Sequence, residues 1–124
     1  MVNILRGSFH LGGAAKLRYL MKFHKLPSVY VLEADSFKYI KIGHTKNIKN
    51  RLSNLNSGCP FKLNLWLCIK TSMPREIELY LLKKYKEFNL KGEWFTLPDD
   101  KLDELMCFVK ERNLIERSIF SGGN

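Results

Sequence analysis

Two short apolar runs, VYVL at 29–32 and YIKI at 39–42, flank a polar stretch centred on Asp35-Ser36. Runs this short, rich in β-branched and aromatic residues and bracketed by turn formers, read as two strands of an antiparallel hairpin. A third segment, FKLNLWLCIK at 61–70, alternates strictly and puts Phe61, Leu63, Leu65, Leu67 and Ile69 on one face. A chain with three such segments must bury a sheet face against something else.

The segments between them have helical spacing. In TKNIKNRLSNLNSG, Ile48, Leu52 and Leu55 share a stripe, and Gly58 with Pro60 gives a stop. In SMPREIELYLLKKYKEF, Pro74 stands near the start, and Ile77, Leu81, Tyr85 and Phe88 form the stripe. GEWFTL is short and extended, with Trp94 and Phe95 as core residues and Glu93 placed to fix the turn at Gly92. PDDKLDELMCFVKERN is a last helix that buries Leu102, Leu105, Met106 and Val109. Ahead of these, AAKLRYLMKFHKL places Leu17, Leu20, Met21 and His24 at helical spacing behind Gly12-Gly13. The order is (α)ββαβαβα, an α+β sandwich with a small, mainly antiparallel three-stranded sheet flanked by helices. The expected divisions are a basic N-terminal extension at 1–27, one domain at 28–115 and a flexible tail at 116–124.

Charge is unevenly spread. Residues 1–72 carry twelve Lys or Arg against two acids, a net +10, whereas residues 73–124 carry nine against ten. Residues 1–27 contain no acid at all. A cationic half of this kind fits a polyanion such as nucleic acid. No apolar run approaches the roughly 20 residues of a membrane helix, and the N-terminus lacks the apolar stretch of a signal peptide. Cys59, Cys68 and Cys107 contain no CxxC pair and read as buried free thiols of an intracellular protein. His10, His24 and His44 show no metal-ligand spacing.

Four residues carry candidate chemistry. If Asp35-Ser36 centres an even-length turn, Glu33 faces Lys38 and Tyr30 falls directly opposite Lys41 on one sheet face. An ammonium beside a phenol favours the phenolate, so Tyr30 could take a proton from water. Arg51 lies beside the apolar stripe of its helix and can offer its fork to a phosphate; a solvated helical charge is the other reading. Glu78, next to Ile77, is either a carboxylate for a hard cation or an acid suited to the helix dipole.

The ordered set VYVL, YIKIG, the arginine ten residues on, Glu78 in EIELYLLKKY and GEWF resembles the GIY-YIG nuclease superfamily. It is closest to the T5orf172-like branch, related to Mug113-type domains, where KIG followed by one residue and threonine is common, as in KIGHT here. The resemblance covers about Val29 to Leu97. It implies a divalent-metal-dependent endonuclease using Mg²⁺, or Mn²⁺, on nucleic acid, DNA in particular, and a phage or mobile-element setting. By this resemblance Tyr30 acts as base or orients the attacking water, and Lys41 takes the place of the second signature tyrosine. Arg51 binds phosphate, and Glu78 is the single metal-ligating glutamate. Lys16, Arg18, Lys22, Lys46 and Lys49 would join Arg51 in holding the backbone. Leu55 and Leu81-Leu82 stand where many relatives carry histidine or tyrosine. The alternative is therefore a non-catalytic nucleic-acid-binding module with the same fold.

Overall fold

In the computed structural model, which describes residues 25–122, the hairpin forms from β1 (Ser28–Ala34) and β2 (Tyr39–Thr45). Helix α1 (Ile48–Ser57), strand β3 (Asn64–Lys70) and helix α2 (Pro74–Lys84) follow. A 3₁₀ turn at Lys86–Phe88 leads into β4 (Asn89–Lys91) and β5 (Trp94–Phe95), and α3 (Asp99–Gly122) closes the chain. The sheet is antiparallel throughout, in the order β3-β1-β2-β5-β4. It has five strands where three were expected, because 89–95 folds into a tiny hairpin. Gly92 (φ +55°) makes its turn, and the Asn89 side-chain amide donates to the carbonyls of Gly92 (2.7 Å) and Trp94 (3.0 Å). Of the extension expected at 1–27, residues 1–24, with Lys16, Arg18 and Lys22, lie outside the described residues.

Each sheet face has its own core. Val29, Val31, Ile40, Ile42, Leu67 and Ile69 pack against Ile77 and Leu81 of α2 and Leu105 and Val109 of α3. Tyr30, Leu32, Ala34 and Leu63 lie on the opposite face under Ile48, Leu52 and Leu55 of α1. Each fully buried aliphatic side chain contributes about 1.5–3 kcal/mol, so the two faces together anchor all three helices.

Strand β3 departs from its strict alternation. Val31 pairs with Leu67 but Leu32 pairs with Leu65, so Trp66 is an extra residue in a bulge. The bulge moves the strand's apolar set from one face to the other midway. Leu67 and Ile69 enter the α2–α3 core, while Leu63 and Leu65 enter the α1 core. Phe61, expected on that stripe, is 57% exposed.

The hairpin register also differs from expectation. The turn spans four residues, with Ala34 opposite Tyr39, so Tyr30 faces Gly43 and Leu32 faces Lys41. The cause is a left-handed turn in which Asp35, Ser36 and Phe37 all have positive φ (55°, 52° and 68°). Such a backbone costs roughly 1–2 kcal/mol per residue without glycine, and several contacts hold it. Lys38 N–H donates to the Asp35 carbonyl at 3.1 Å, and Phe37 N–H donates to Glu33 Oε1 at 3.1 Å. The Thr96 hydroxyl donates to the Lys38 carbonyl at 2.6 Å, and the Phe37 ring meets the Trp66 ring edge-on at 5.0 Å.

Helix α3 continues to Gly122, through most of the segment expected to be a flexible tail. Arg112 and Glu116, one turn apart, pair at 2.7 Å, and Asn113 Nδ2 donates to the Cys68 carbonyl at 3.1 Å. The first contact spans the sequence-predicted end of the helix, and the second ties that end, at Asn113, to β3. The three thiols are free, but Cys107 is exposed and Cys59 and Cys68 only half-buried. Among the described residues, no helix is long and apolar enough to cross a membrane.

Candidate functional site

The site begins where β2 loses its outer partner. Strand β5 pairs only with Ile40 and Lys41, and the last main-chain bond on that side runs from Ile42 N–H to the Glu93 carbonyl at 3.1 Å. Gly43, His44 and Thr45 therefore have β1 on one side and no described strand on the other. Side chains from either face of the sheet can reach this open edge.

Gly43 makes room for Tyr30. A Cβ at position 43 would stand 2.6 Å from Tyr30 Cζ and nearer still to the hydroxyl, so the phenol lies directly over the glycine. This close approach explains the glycine of YIKIG: any side chain there would displace the tyrosine. Gly43→Ala should push the ring out of place and destabilise the fold by about 1–3 kcal/mol, the usual cost of overpacking. A urea melt checks this, and a stability equal to the parent's would show that Tyr30 can move freely.

Arg51 reaches the same point from α1. The Thr45 hydroxyl accepts the Asn47 N–H at 3.2 Å, and Asn47 Oδ1 caps the helix by accepting the Asn50 N–H at 3.1 Å. The cap fixes the first turn, and Arg51 Nε donates to the Tyr30 hydroxyl at 3.3 Å. Lys46 and Lys49 are exposed on this same entry to α1.

Lys41 shares the face with Tyr30 but sits two residues further along β2. Its Nζ pairs with Glu93 Oε1 at 3.3 Å and lies 5.3 Å from the centre of the Trp94 ring. The expected direct pairing of Lys41 with Tyr30 is therefore replaced by a Lys41–Glu93–Trp94 group. Glu93, read from the sequence as a turn residue, is Lys41's counter-ion.

Glu78 projects from α2 on the other side of the sheet and is nearly buried, at 8% exposure. Its Oε2 lies 3.0 Å from His44 Nδ1. No local pattern joins these two, because His44 has no second histidine at ligand spacing. The available signal was the period of β2, which puts His44 on the face of Ile40 and Ile42, toward α2.

Burial dominates the ionisation of Tyr30 and pushes its phenol above the ordinary 10.0. The Arg51 hydrogen bond and charge work against this, while the charges of Glu93 and Glu78 reinforce it. Lys41 does not lower it, contrary to the sequence-based expectation; the phenol stays protonated at neutral pH. Tyr85 is raised as well, by burial and by its hydrogen bond to Glu104 Oε1 at 3.0 Å. In the unfolded chain both phenols ionise near 10. The fold keeps them protonated longer, so their contribution to stability is intact below that pH and is lost as pH rises past it. Phenolate absorbance should thus show a fraction of the tyrosines ionising only above pH 10, together with alkaline unfolding.

Among the described residues, no group of three or more His, Cys, Asp or Glu side chains converges in a metal cage. Glu78 offers one hard oxygen donor set. That set fits a cation that keeps most of its waters and takes further oxygens from a phosphate, which is how Mg²⁺ commonly binds. It does not fit an all-protein zinc or calcium site.

The model of the T5orf172 domain family matches residues 28–110, which takes in Tyr30, Lys41, Arg51 and Glu78. No curated protein and no solved structure gives a match.

Proposed function

The chain belongs to the T5orf172 domain family, and from that footing we propose that it is a GIY-YIG-type endonuclease that hydrolyses phosphodiester bonds in DNA with a divalent cation. One observation carries the reading. At the open edge of β2, Tyr30 of β1 is capped by Arg51 of α1 on one face, and Glu78 of α2 meets His44 on the other. A core needs neither a buried tyrosine capped by an arginine nor a nearly buried carboxylate on the opposite face of the same edge.

In this proposal Arg51 keeps its Nε on Tyr30 and turns the rest of its fork to the scissile phosphate, where it offsets charge that grows in the transition state. Tyr30 is a protonated phenol with one lone pair already taken, so it orients the attacking water rather than acting as its base at neutral pH. Water oxygen bonds to phosphorus, one P–O ester bond breaks, and the leaving oxygen gains a proton while the water loses one. Glu78, with His44 fixing one of its oxygens, would hold the metal. Bound Mg²⁺ or Mn²⁺ would supply Lewis-acid polarisation of the phosphoryl oxygens. Lys41, held by Glu93 on the Tyr30 face, presents positive charge to a neighbouring phosphate. Lys46, Lys49 and the basic N-terminal segment would hold more of the backbone.

A second reading, a binding module that no longer cuts, is favoured by the engagement of Glu78 with His44. Both readings require electrostatic binding. With a net +10 in residues 1–72, the affinity for a short duplex should fall steeply with salt, by about 0.9 log units per log unit of salt for each phosphate neutralised. A flat dependence in a salt titration would remove nucleic acid as the partner. Cleavage in the presence of a divalent metal separates the enzyme from the binder.

A further inference from the structure

Beside the candidate site, on the α1 face of the sheet, lies a cavity of about 270 Å³. Tyr39, Phe61, Trp94, Leu90, Lys91 and Cys59 contribute to its wall, and the wall surface open to solvent is apolar. Three of these are aromatic. Phe61 and Leu90 are large apolar side chains left 57% and 54% exposed at its rim. Phe61 precedes the first residue of β3 and stays out of the core, and Leu90 and Lys91 belong to β4 of the short β4–β5 hairpin.

Trp94 links the cavity to the proposed site. One face of that ring environment carries Lys41 Nζ at 5.3 Å, and the same residue lines the cavity. Along β1, the cavity residue Ala34 is four positions from Tyr30. At ~3.4 Å per residue that is about 14 Å, or about four nucleotides of a helical strand. Lys91 is exposed and contributes to the wall. The cavity is thus apolar and aromatic, with the exposed Lys91 on its wall and Lys41, paired with Glu93, against Trp94.

We infer that this cavity receives an unpaired nucleobase of the substrate strand, with Phe61 and Trp94 as stacking walls and Lys91 and Lys41 on the flanking phosphates. A base has an apolar face of the kind the wall offers and a charged backbone of the sign the rim requires, and aromatic side chains stack bases without regard to sequence. A neutral lipid or an apolar peptide would use the wall but not the lysines. The inference rests on the nucleic-acid reading above and narrows it to DNA with an extruded or single-stranded nucleotide near the cut.

The test uses the full chain in EDTA, so that nothing is cleaved, and three probes of one sequence. These are a perfect duplex, a duplex with one unpaired adenine, and the same duplex with an abasic nucleotide in that place. The expected result is about tenfold tighter binding to the unpaired adenine than to either other probe, the usual worth of one base–aromatic stack. Phe61→Ala should erase that preference and leave perfect-duplex affinity unchanged. Leu90→Ala should reduce it, and both residues are exposed enough for the fold to tolerate the change. Equal affinity of the parent for all three probes, or a preference that survives Phe61→Ala, overturns the inference while leaving the nuclease reading standing. That outcome would leave an apolar peptide segment as the occupant. Binding to none of the probes removes both.

Discussion

Glu78→Gln should lower DNA cleavage by at least about 10²–10³-fold, the scale on which loss of one electrostatic stabiliser of a transition state is felt, and leave metal-free duplex binding unchanged. Glutamine keeps the shape of the side chain and can still meet His44 Nδ1. It cannot supply the charge that a hard cation requires. Glu78 is nearly buried on α2 beside Ile77, so the neutral amide should be accepted by the fold. Plasmid nicking and duplex affinity measured on the same preparation separate the two effects. Cleavage at the parent's rate would exclude Glu78 from the site, and a loss of binding would make it a structural residue.

Arg51 should show an effect of similar size through a different route. Arg51→Ala removes both the Tyr30 hydrogen bond and the charge facing the phosphate, and should cost on the order of 10²–10³ in rate. Arg51→Lys keeps the charge but has no Nε at the right place and no fork. It should recover binding and only part of the rate. The tyrosine reports the same change independently. Without the Arg51 hydrogen bond, an influence that lowers the Tyr30 pKa disappears, so the phenol should ionise at still higher pH in Arg51→Ala. If Arg51→Lys and the parent cleave equally, the Nε–Tyr30 contact has no part in the chemistry.

Much of the fold was legible because local signals agreed with it. The stop at Gly58, Pro74 at the first turn of α2 and the apolar stripe of α3 all stand where their spacing put them. The failures share a physical origin in single-residue insertions and backbone strain. The bulge at Trp66 breaks a pattern that looks strictly alternating, and nothing in FKLNLWLCIK marks where the extra residue goes. The turn at Asp35–Lys38 was two residues wider than assumed, because three non-glycine residues adopt positive φ there. That slip of two kept Tyr30 and Lys41 on the same face but removed their direct opposition.

The candidate site was legible to a similar degree. Tyr30 and Arg51 do meet, while Glu78 lies against His44 on the other face of the sheet. The partners that organise them were not visible. His44 for Glu78 and Glu93 for Lys41 depend on contacts between residues 34 and 52 positions apart, which no local period encodes. Gly43 could be read as part of a motif, but its reason, the tyrosine ring lying over it, appears only in three dimensions.

The central claim is that the chain cuts DNA with a divalent metal held at Glu78. Its most direct test is incubation of supercoiled plasmid with the full chain in Mg²⁺ or Mn²⁺, against EDTA and against Glu78→Gln. Nicked and then linear plasmid is expected with metal, and intact plasmid in both controls. A chain that binds the plasmid with steep salt dependence yet leaves it supercoiled in every divalent metal would contradict the claim and make this a binding module.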